Sequence, residues 1–381
     1  MINLPQTPLK HRLVGNDDHF IQEATRKRQP SEPCWCRSGH QYKECHKKRH
    51  ELSALPLGRI HKETLKIFKK NRGCMHPTAA SSSCKGPPIA SHVIQKKGPL
   101  AAIINDSNHV LNIEAAQKDA SLSVKAIGWK KASIFPGYCA HHDAELFRKL
   151  ETEAFIGTHE QCVLQSFRSV CCELYKKKAL VESLKYQSAV LDRGRSKDKQ
   201  ISIQWSINKN ISGQMKSIEE LKALADIFND AIKNDNLDLF ESKTYPFQGP
   251  VGLISATTTQ AEFDFNGLKL VDLDDLNQDA ESLVYSIFPS DVGGSIVFCW
   301  PTDFKSAADV VASFDRLSPD DKGDIFAQYC FLVSEETYFS EQWWTSLSRK
   351  NQHRVFELSK SMYYEGGKFE ASSDPLVNWK F

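Results

Sequence analysis

Seventeen residues near the start of the chain, PCWCRSGHQYKECHKKR (33–49), restrict it more than any other stretch. Cys34, Cys36, Cys45 and His46 fall within 13 positions. A segment this short cannot bury enough apolar surface to fold alone, so something else must hold it. Three soft sulfurs and one imidazole form a set that zinc prefers, and closed sets of this kind are structural. Cys34-X-Cys36 puts two thiolates on one tight turn. SGHQY supplies turn residues, and Cys45-His46 closes the set from the other end. Metal binding would fix a knob that displays Arg37, Lys43, Lys47, Lys48 and Arg49.

The knob lies in a basic front. Residues 1–98 hold 19 Lys and Arg against 7 Asp and Glu, while the whole chain of 381 residues carries only +2. The remainder is therefore acidic. A basic front points to a polyanion such as nucleic acid; Lys and Arg kept only for solubility are the plain alternative. No run of about 18 apolar residues appears, so no membrane span is expected. The first residues lack a signal-peptide core, so a cytoplasmic location is expected, with thiols reduced. The 11 cysteines then read as metal ligands or core residues.

PCWCRSGHQYKECH closely resembles the SEC-C zinc motif, Pro-Cys-X-Cys-X-Ser-Gly-X-X-Tyr-X-X-Cys followed by Cys or His. Cys34, Cys36, Ser38, Gly39, Tyr42, Cys45 and His46 match; Arg37 and His40 stand where Gly and Lys are common. The resemblance covers about 15 residues and implies zinc and a docking module for protein or nucleic acid.

A second, dispersed set is Cys74, Cys84, Cys139 and His142, with His76, His92 and His141 nearby. Cys139-X-X-His142 opens the helical pattern AELFRKLE, and three-residue spacing turns both side chains toward one metal. Two ligands on a knuckle and two on a helix start after a hairpin make the arrangement of a treble clef. ASHVI resembles the Ser-His-Ile strand of HNH-type (ββα-metal) endonucleases. That resemblance implies His92 as the general base against a phosphodiester, with Mg2+ or Mn2+ stabilising the phosphate charge. The sequence departs from the family in its Cys-X9-Cys knuckle and in the long gap from His92 to Cys139. The middle Asn is open among Asn105, Asn108 and Asn112, and the last metal ligand is open, with Asp143 and Glu145 as oxygen donors. His92 as a structural strand histidine, and Cys74 and Cys84 as plain loop thiols, also stay open. Lys85, Lys96, Lys97, Lys130 and Lys131 fit a phosphate path. The run YKKKALVESLK reads first as a solvated helix face.

The expected fold class is α+β. It comprises a loose arm (1–30), the zinc knob (31–50), a treble-clef zinc domain (57–150), a helical region (151–192) and a C-terminal α+β domain (200–381). Expected helices lie near His19–Lys27 and over Leu57–Asn71. Residues 73–88 read as a loop. IASHVI and HVLNIE read as strands joined through the NDSN turn, and IFPGYC as the opening of a long helical region. DRGRSKDKQ reads as a charged linker, Met215–Lys233 as a helix, and Val251–Val271 as a hairpin. Leu283–Phe288 and Ser295–Trp300 read as strands, and Ala307–Leu317, Asp320–Ser334 and Ser340–Met362 as helices. DLDDLNQD (272–279) reads as a capped loop leading into a helix rather than a calcium loop. Cys162, Cys171, Cys172, Cys299 and Cys330 read as core. The aromatic tail, Phe339 to Phe381, reads as core or as a partner surface.

Two functions follow. One is a metal-dependent nuclease acting on nucleic acid, by analogy a bacterial phage-defence effector. The other is a non-catalytic zinc adapter that docks nucleic acid, the ribosome or a protein partner. Both carry two structural zinc ions; the oligomeric state is left open.

Overall fold

The computed structural model describes residues 17–115, 121–364 and 372–381. Helix α1 (Asp17–Thr25) precedes the knob, and α2 (Leu57–Phe68) follows it. Then come β1 (Pro88–His92), β2 (His109–Ala115), β3 (Leu122–Gly128) and β4 (Ile134–Cys139), with α3 (Ala140–Leu146) and α4 (Arg148–Thr152) after them. Two long helices, α5 (His159–Ser188) and α6 (Lys197–Lys233), form a hairpin. The rest is β5 (Phe240–Gln248), β6 (Leu253–Gln260), β7 (Ser282–Ser290), β8 (Gly293–Pro301), α7 (Lys305–Asp315), α8 (Pro319–Val333), β9 (Thr337–Phe339), α9 (Glu341–Ser346) and α10 (Arg349–Tyr364). The fold is α+β.

Among the described residues, one sheet of seven strands runs β3-β2-β9-β6-β7-β8-β5, and a separate pair joins β1 to β4. Side-chain alternation along β8 shows what covers the large sheet. Val297 packs with Cys162 of α5, and Cys299 lies beside Ser166 of the same helix. Phe298, between them, points to the other face and meets Phe314 of α7 and Phe326 of α8. The central strands are therefore buried on both sides, as the unbroken burial of β6 requires. Thr158 and Gln161 form a reciprocal capping box that starts α5.

Several expectations change. Ile134–Cys139 is a strand, not the start of a helix, and it is the partner of β1. NDSN does turn, but it leads β2 into the large sheet, where Leu111 pairs with Phe339. Val251–Val271 is no hairpin: only β6 is a strand, and it pairs with β7 and β9. Helix α6 begins 18 residues before Met215. The expected helix over 340–362 breaks into α9 and α10. DLDDLNQD folds into side-chain-capped turns around Asp272 and Asp275 and leads into a strand. The front is not a loose arm from residue 17 on: Phe20 packs edge-on against Trp35, and Ala24 is buried beside Ile201. Residues 1–16 lie outside the described part.

Other readings hold. The five cysteines assigned to the core are buried. Phe339, Trp343, Trp344 and Phe356 stack on one another, and Trp379 and Phe381 pack on Phe247. The side chains of Tyr363 and Tyr364 lie outside the described residues. No helix among the described residues is long and apolar enough to cross a membrane.

Candidate metal centres

The first centre is built by a compact loop. Cys34 N–H donates to the His40 carbonyl at 2.8 Å, and Arg37 N–H donates to the Cys34 carbonyl at 3.2 Å. The turn takes Arg37 to φ 61 and Gly39 to φ 81, left-handed values that a glycine carries without strain. A short 3-10 turn, Tyr42–Glu44, then delivers Cys45 and His46. His46 Nδ1 lies 3.2 Å from Cys34 Sγ and 3.1 Å from Cys45 Sγ. Cys36 and Cys45 sulfurs are 3.5 Å apart, with the Ser38 hydroxyl 3.2 Å from Cys36 Sγ. Zinc–sulfur and zinc–nitrogen bonds of about 2.3 and 2.1 Å give tetrahedral edges of roughly 3.5–3.8 Å. The donor set fits that ion in chemistry; the Cys36–Cys45 edge also fits in size, while the His46 nitrogen stands a few tenths of an ångström closer to the sulfurs than a bound ion would hold it.

The outer nitrogen of His46 is also held. Nε2 lies 2.7 Å from Asp192 Oδ2, and Arg49 Nε donates to Asp192 Oδ1 at 2.6 Å. Burial opposes charge on His46, but its bonds to Asp192 and to the sulfurs outweigh that and raise it to about 10. Burial likewise opposes the Asp192 carboxylate, yet His46, Arg49 and Gln204 together keep its pKa below the usual value. Two expectations are corrected here. Arg49 is buried against Asp192, so it is not displayed to nucleic acid. Asp192 does not belong to a loose charged linker, since none of its side chain is exposed. Arg37, Lys43, Lys47 and Lys48 remain on the surface, with Lys48 beside Glu51.

The second centre gathers residues from three places, the 73–88 loop, the end of β4 and the start of α3. Met75 N–H donates to the Gly137 carbonyl at 2.8 Å, which pins the 73–88 loop to β4. Cys139 ends β4 and is the N-cap of α3, while its N–H points at Cys74 Sγ, 3.4 Å away. His142 Nδ1 lies 3.4 Å from Cys74 Sγ and 3.6 Å from Cys84 Sγ. The ligand atoms of Cys74, Cys84, Cys139 and His142 all lie within 4.8 Å of one another. This set too is three thiols and an imidazole, and it fits zinc. Burial pushes Cys74 up to about 11. It also opposes the Cys139 thiolate, but the His142 and Lys85 N–H groups and the neighbouring thiols bring Cys139 below the usual range. His76 stacks on the His142 ring at 4.1 Å and is not a member of the set. His141 faces Glu145 at 3.4 Å.

His92 ends β1, paired with Ile134. Its Nε2 is buried without a hydrogen-bond partner. Burial, then the nearby Lys96, lowers its pKa; a hydrogen bond with the Trp129 backbone opposes this. Burial raises the carboxyl of Asp143, next to the ligand His142, against the opposing charge of Arg168. One of its oxygens, Oδ1, has no hydrogen-bond partner. Arg168 of α5 completes the group: its guanidinium lies over Phe147 at 4.0 Å and donates to Glu151 at 2.9 Å, while its Nε is unpaired. Asp143 is one of the two oxygen donors that the sequence offers, whereas Arg168 has no signal in the sequence. Lys96 is half-buried over the Trp129 ring and Lys97 is exposed. The candidate middle asparagines are committed elsewhere. Asn105 bonds Glu341, Asn108 sits in the turn at φ 58, and Asn112 bonds the Glu335 and Thr337 carbonyls.

No curated protein and no solved structure matches the chain. The donor sets of both centres support zinc, and the first coincides with a stretch that a family model matches: residues 31–48 carry a SEC-C motif.

Proposed function

We propose that this chain is a zinc-stapled, metal-dependent nuclease of the ββα-metal kind, with His92 as its general base. The reading is carried by the partnerless, buried Nε2 of His92 on β1, with a second partnerless buried oxygen, Asp143 Oδ1, on α3. Buried polar atoms are nearly always paired, so unpaired ones grouped together mark a place where a ligand belongs. The second centre supports the arrangement, because it ties the 73–88 loop, the end of β4 and the start of α3 into one unit. Within it, β1 carries His92 and α3 carries Asp143. His92 Nε2 takes the proton from an attacking water, whose oxygen bonds to phosphorus as the ester oxygen leaves with a solvent proton. Asp143 would be the helix-borne ligand for Mg2+ or Mn2+, which would supply charge stabilisation on the phosphate. Lys96 and Lys97 provide positive charge along the approach, and the buried Arg168 adds its charge from beneath. The test is cleavage of plasmid DNA and structured RNA with magnesium or manganese. Cleavage is expected from the native chain and lost in His92→Ala with the far-UV spectrum unchanged. Equal cleavage by both proteins sinks the assignment of His92.

A second reading, a non-catalytic adapter for nucleic acid, the ribosome or a protein, is favoured by the knob's exposed Arg37, Lys43, Lys47 and Lys48. It expects salt-sensitive binding without cleavage, weakened by alanine at Arg37, Lys47 and Lys48. Arg49→Ala would disturb the fold instead, because its charge is spent on Asp192.

A further inference from the structure

The first centre is not a free appendage. Its fourth ligand reaches across 146 residues of chain to a buried carboxylate in the turn that follows α5. We infer that Asp192 is a positioning residue for the metal, and that the 31–48 motif is a clasp closed onto the α5–α6 hairpin by way of His46.

Three observations carry this. First, His46 aims Nδ1 at the sulfurs of Cys34 and Cys45, which leaves Nε2 to hold the ring proton. A neutral imidazole that gives one nitrogen to a metal must carry its proton on the other. Asp192 Oδ2 accepts that proton at 2.7 Å, with both side chains almost wholly buried. Such a carboxylate fixes the tautomer and ring orientation and makes the metal-facing nitrogen a stronger donor.

Second, Asp192 is itself fixed on every side. Arg49 Nε donates to Oδ1 at 2.6 Å, and Gln204 of α6 donates to Oδ2 at 2.8 Å. Arg49 also donates to the Ser188 carbonyl at 2.9 Å, which binds the residue after the knob to the end of α5. Gly194 N–H donates to the Arg49 carbonyl at 3.1 Å, and a Cβ there would come within 2.7 Å of the Leu52 carbonyl oxygen. Gly194 has φ 70, so close approach and backbone angle both call for glycine. Asn208 of α6 donates to the Cys36 carbonyl at 3.2 Å, and Trp35 packs with Phe20 and Ile201.

Third, the second centre lacks this device. Among the described residues no carboxylate is hydrogen-bonded to His142, whose ring stacks on His76 instead. The two centres share their donor atoms and differ in what stands behind the imidazole.

The full chain, loaded with two zinc ions, is titrated against a chromophoric chelator for the native protein, Asp192→Asn and Arg49→Met. One ion should bind about 10–100-fold more weakly in Asp192→Asn, and the other should keep its affinity. Arg49→Met breaks the same buried network but leaves the His46–Asp192 bond, so it should cost stability with a much smaller change in zinc affinity. Cobalt supplies the second readout: the ligand-field bands of one site should shift in Asp192→Asn and not in Arg49→Met. Unchanged affinity of both ions in Asp192→Asn overturns the inference. So does an equal loss in Arg49→Met, since the effect would then be packing alone. If Asp192→Asn does not fold, its stability regained at saturating zinc supports the clasp, and no gain with zinc overturns it.

Discussion

Lys177 lies in the middle of α5 with none of its side chain exposed. Its ammonium has no hydrogen bond, and Glu173, one turn earlier, is 3.7 Å away. The run YKKK therefore does not form the solvated face expected of it. Lys176 also turns inward, to pair with Glu336 beside β9. Burial lowers Lys177 to about 8, against the opposing pull of Glu173 and Glu335. The consequence for stability has a definite sign. Below pH 8 both the folded and unfolded chains hold the proton, and the folded chain bears the full cost of a buried charge. Between pH 8 and 10.5 the folded chain releases the proton while the unfolded chain keeps it, so this residue makes stability rise with pH. The full rise is on the order of 3 kcal/mol. Lys177→Met should be more stable than the native chain at pH 7, and the gap should close by pH 10.5. Urea midpoints at several pH values read this directly. A constant gap would show that Lys177 keeps its proton in the folded protein across this range, as it does in the unfolded chain.

Elements were legible where one short span of sequence decides them. The four ligands of the first centre stand within one loop, so spacing alone revealed them. Cys139 and His142 were visible for the same reason, at i and i+3 on a helix start. Strand pairing was not legible, because it depends on distant partners. His92 and Ile134 are register neighbours, yet 41 residues separate them, and those residues leave to build β2 and β3 in another sheet. NDSN was a good turn signal attached to the wrong pair. Strand β5 carries Pro246 and alternates exposed with buried positions, and it lies at the edge of the sheet, where proline costs no ladder bond. Asp192 was hidden differently. An aspartate in DRGRSKDKQ looks like any surface charge until the tertiary fold brings His46, Arg49 and Gln204 around it. The unpaired group around His92 was half legible: the histidine showed through its strand, but Arg168 comes from a helix with no motif.

At the scale of the molecule, the strand that joins the front and rear halves is only three residues long. β9 lies between β2, from the zinc-bearing front, and β6, from the acidic rear. Phe339 is the residue at which both ladders meet, paired with Leu111 on one side and Leu253 on the other. Its ring is fully buried among Phe331, Trp343 and Trp344. Lys176 and Glu336 add an ion pair from α5 to the start of the same strand, and Asn112 reaches back to the Thr337 carbonyl. A strand this short has few hydrogen bonds of its own and depends on packing. Phe339→Ala should therefore cost about 3–5 kcal/mol, the usual range for emptying a buried aromatic site. The loss should reach both halves. Native unfolding followed by tryptophan fluorescence, which includes Trp35 in the knob and Trp379 in the tail, should coincide with unfolding followed by far-UV circular dichroism. In Phe339→Ala the two should still coincide, at a lower midpoint. A variant in which the rear unfolds first, with the Trp35 region intact, would show that the sheet does not couple the zinc-bearing front to the rest of the chain.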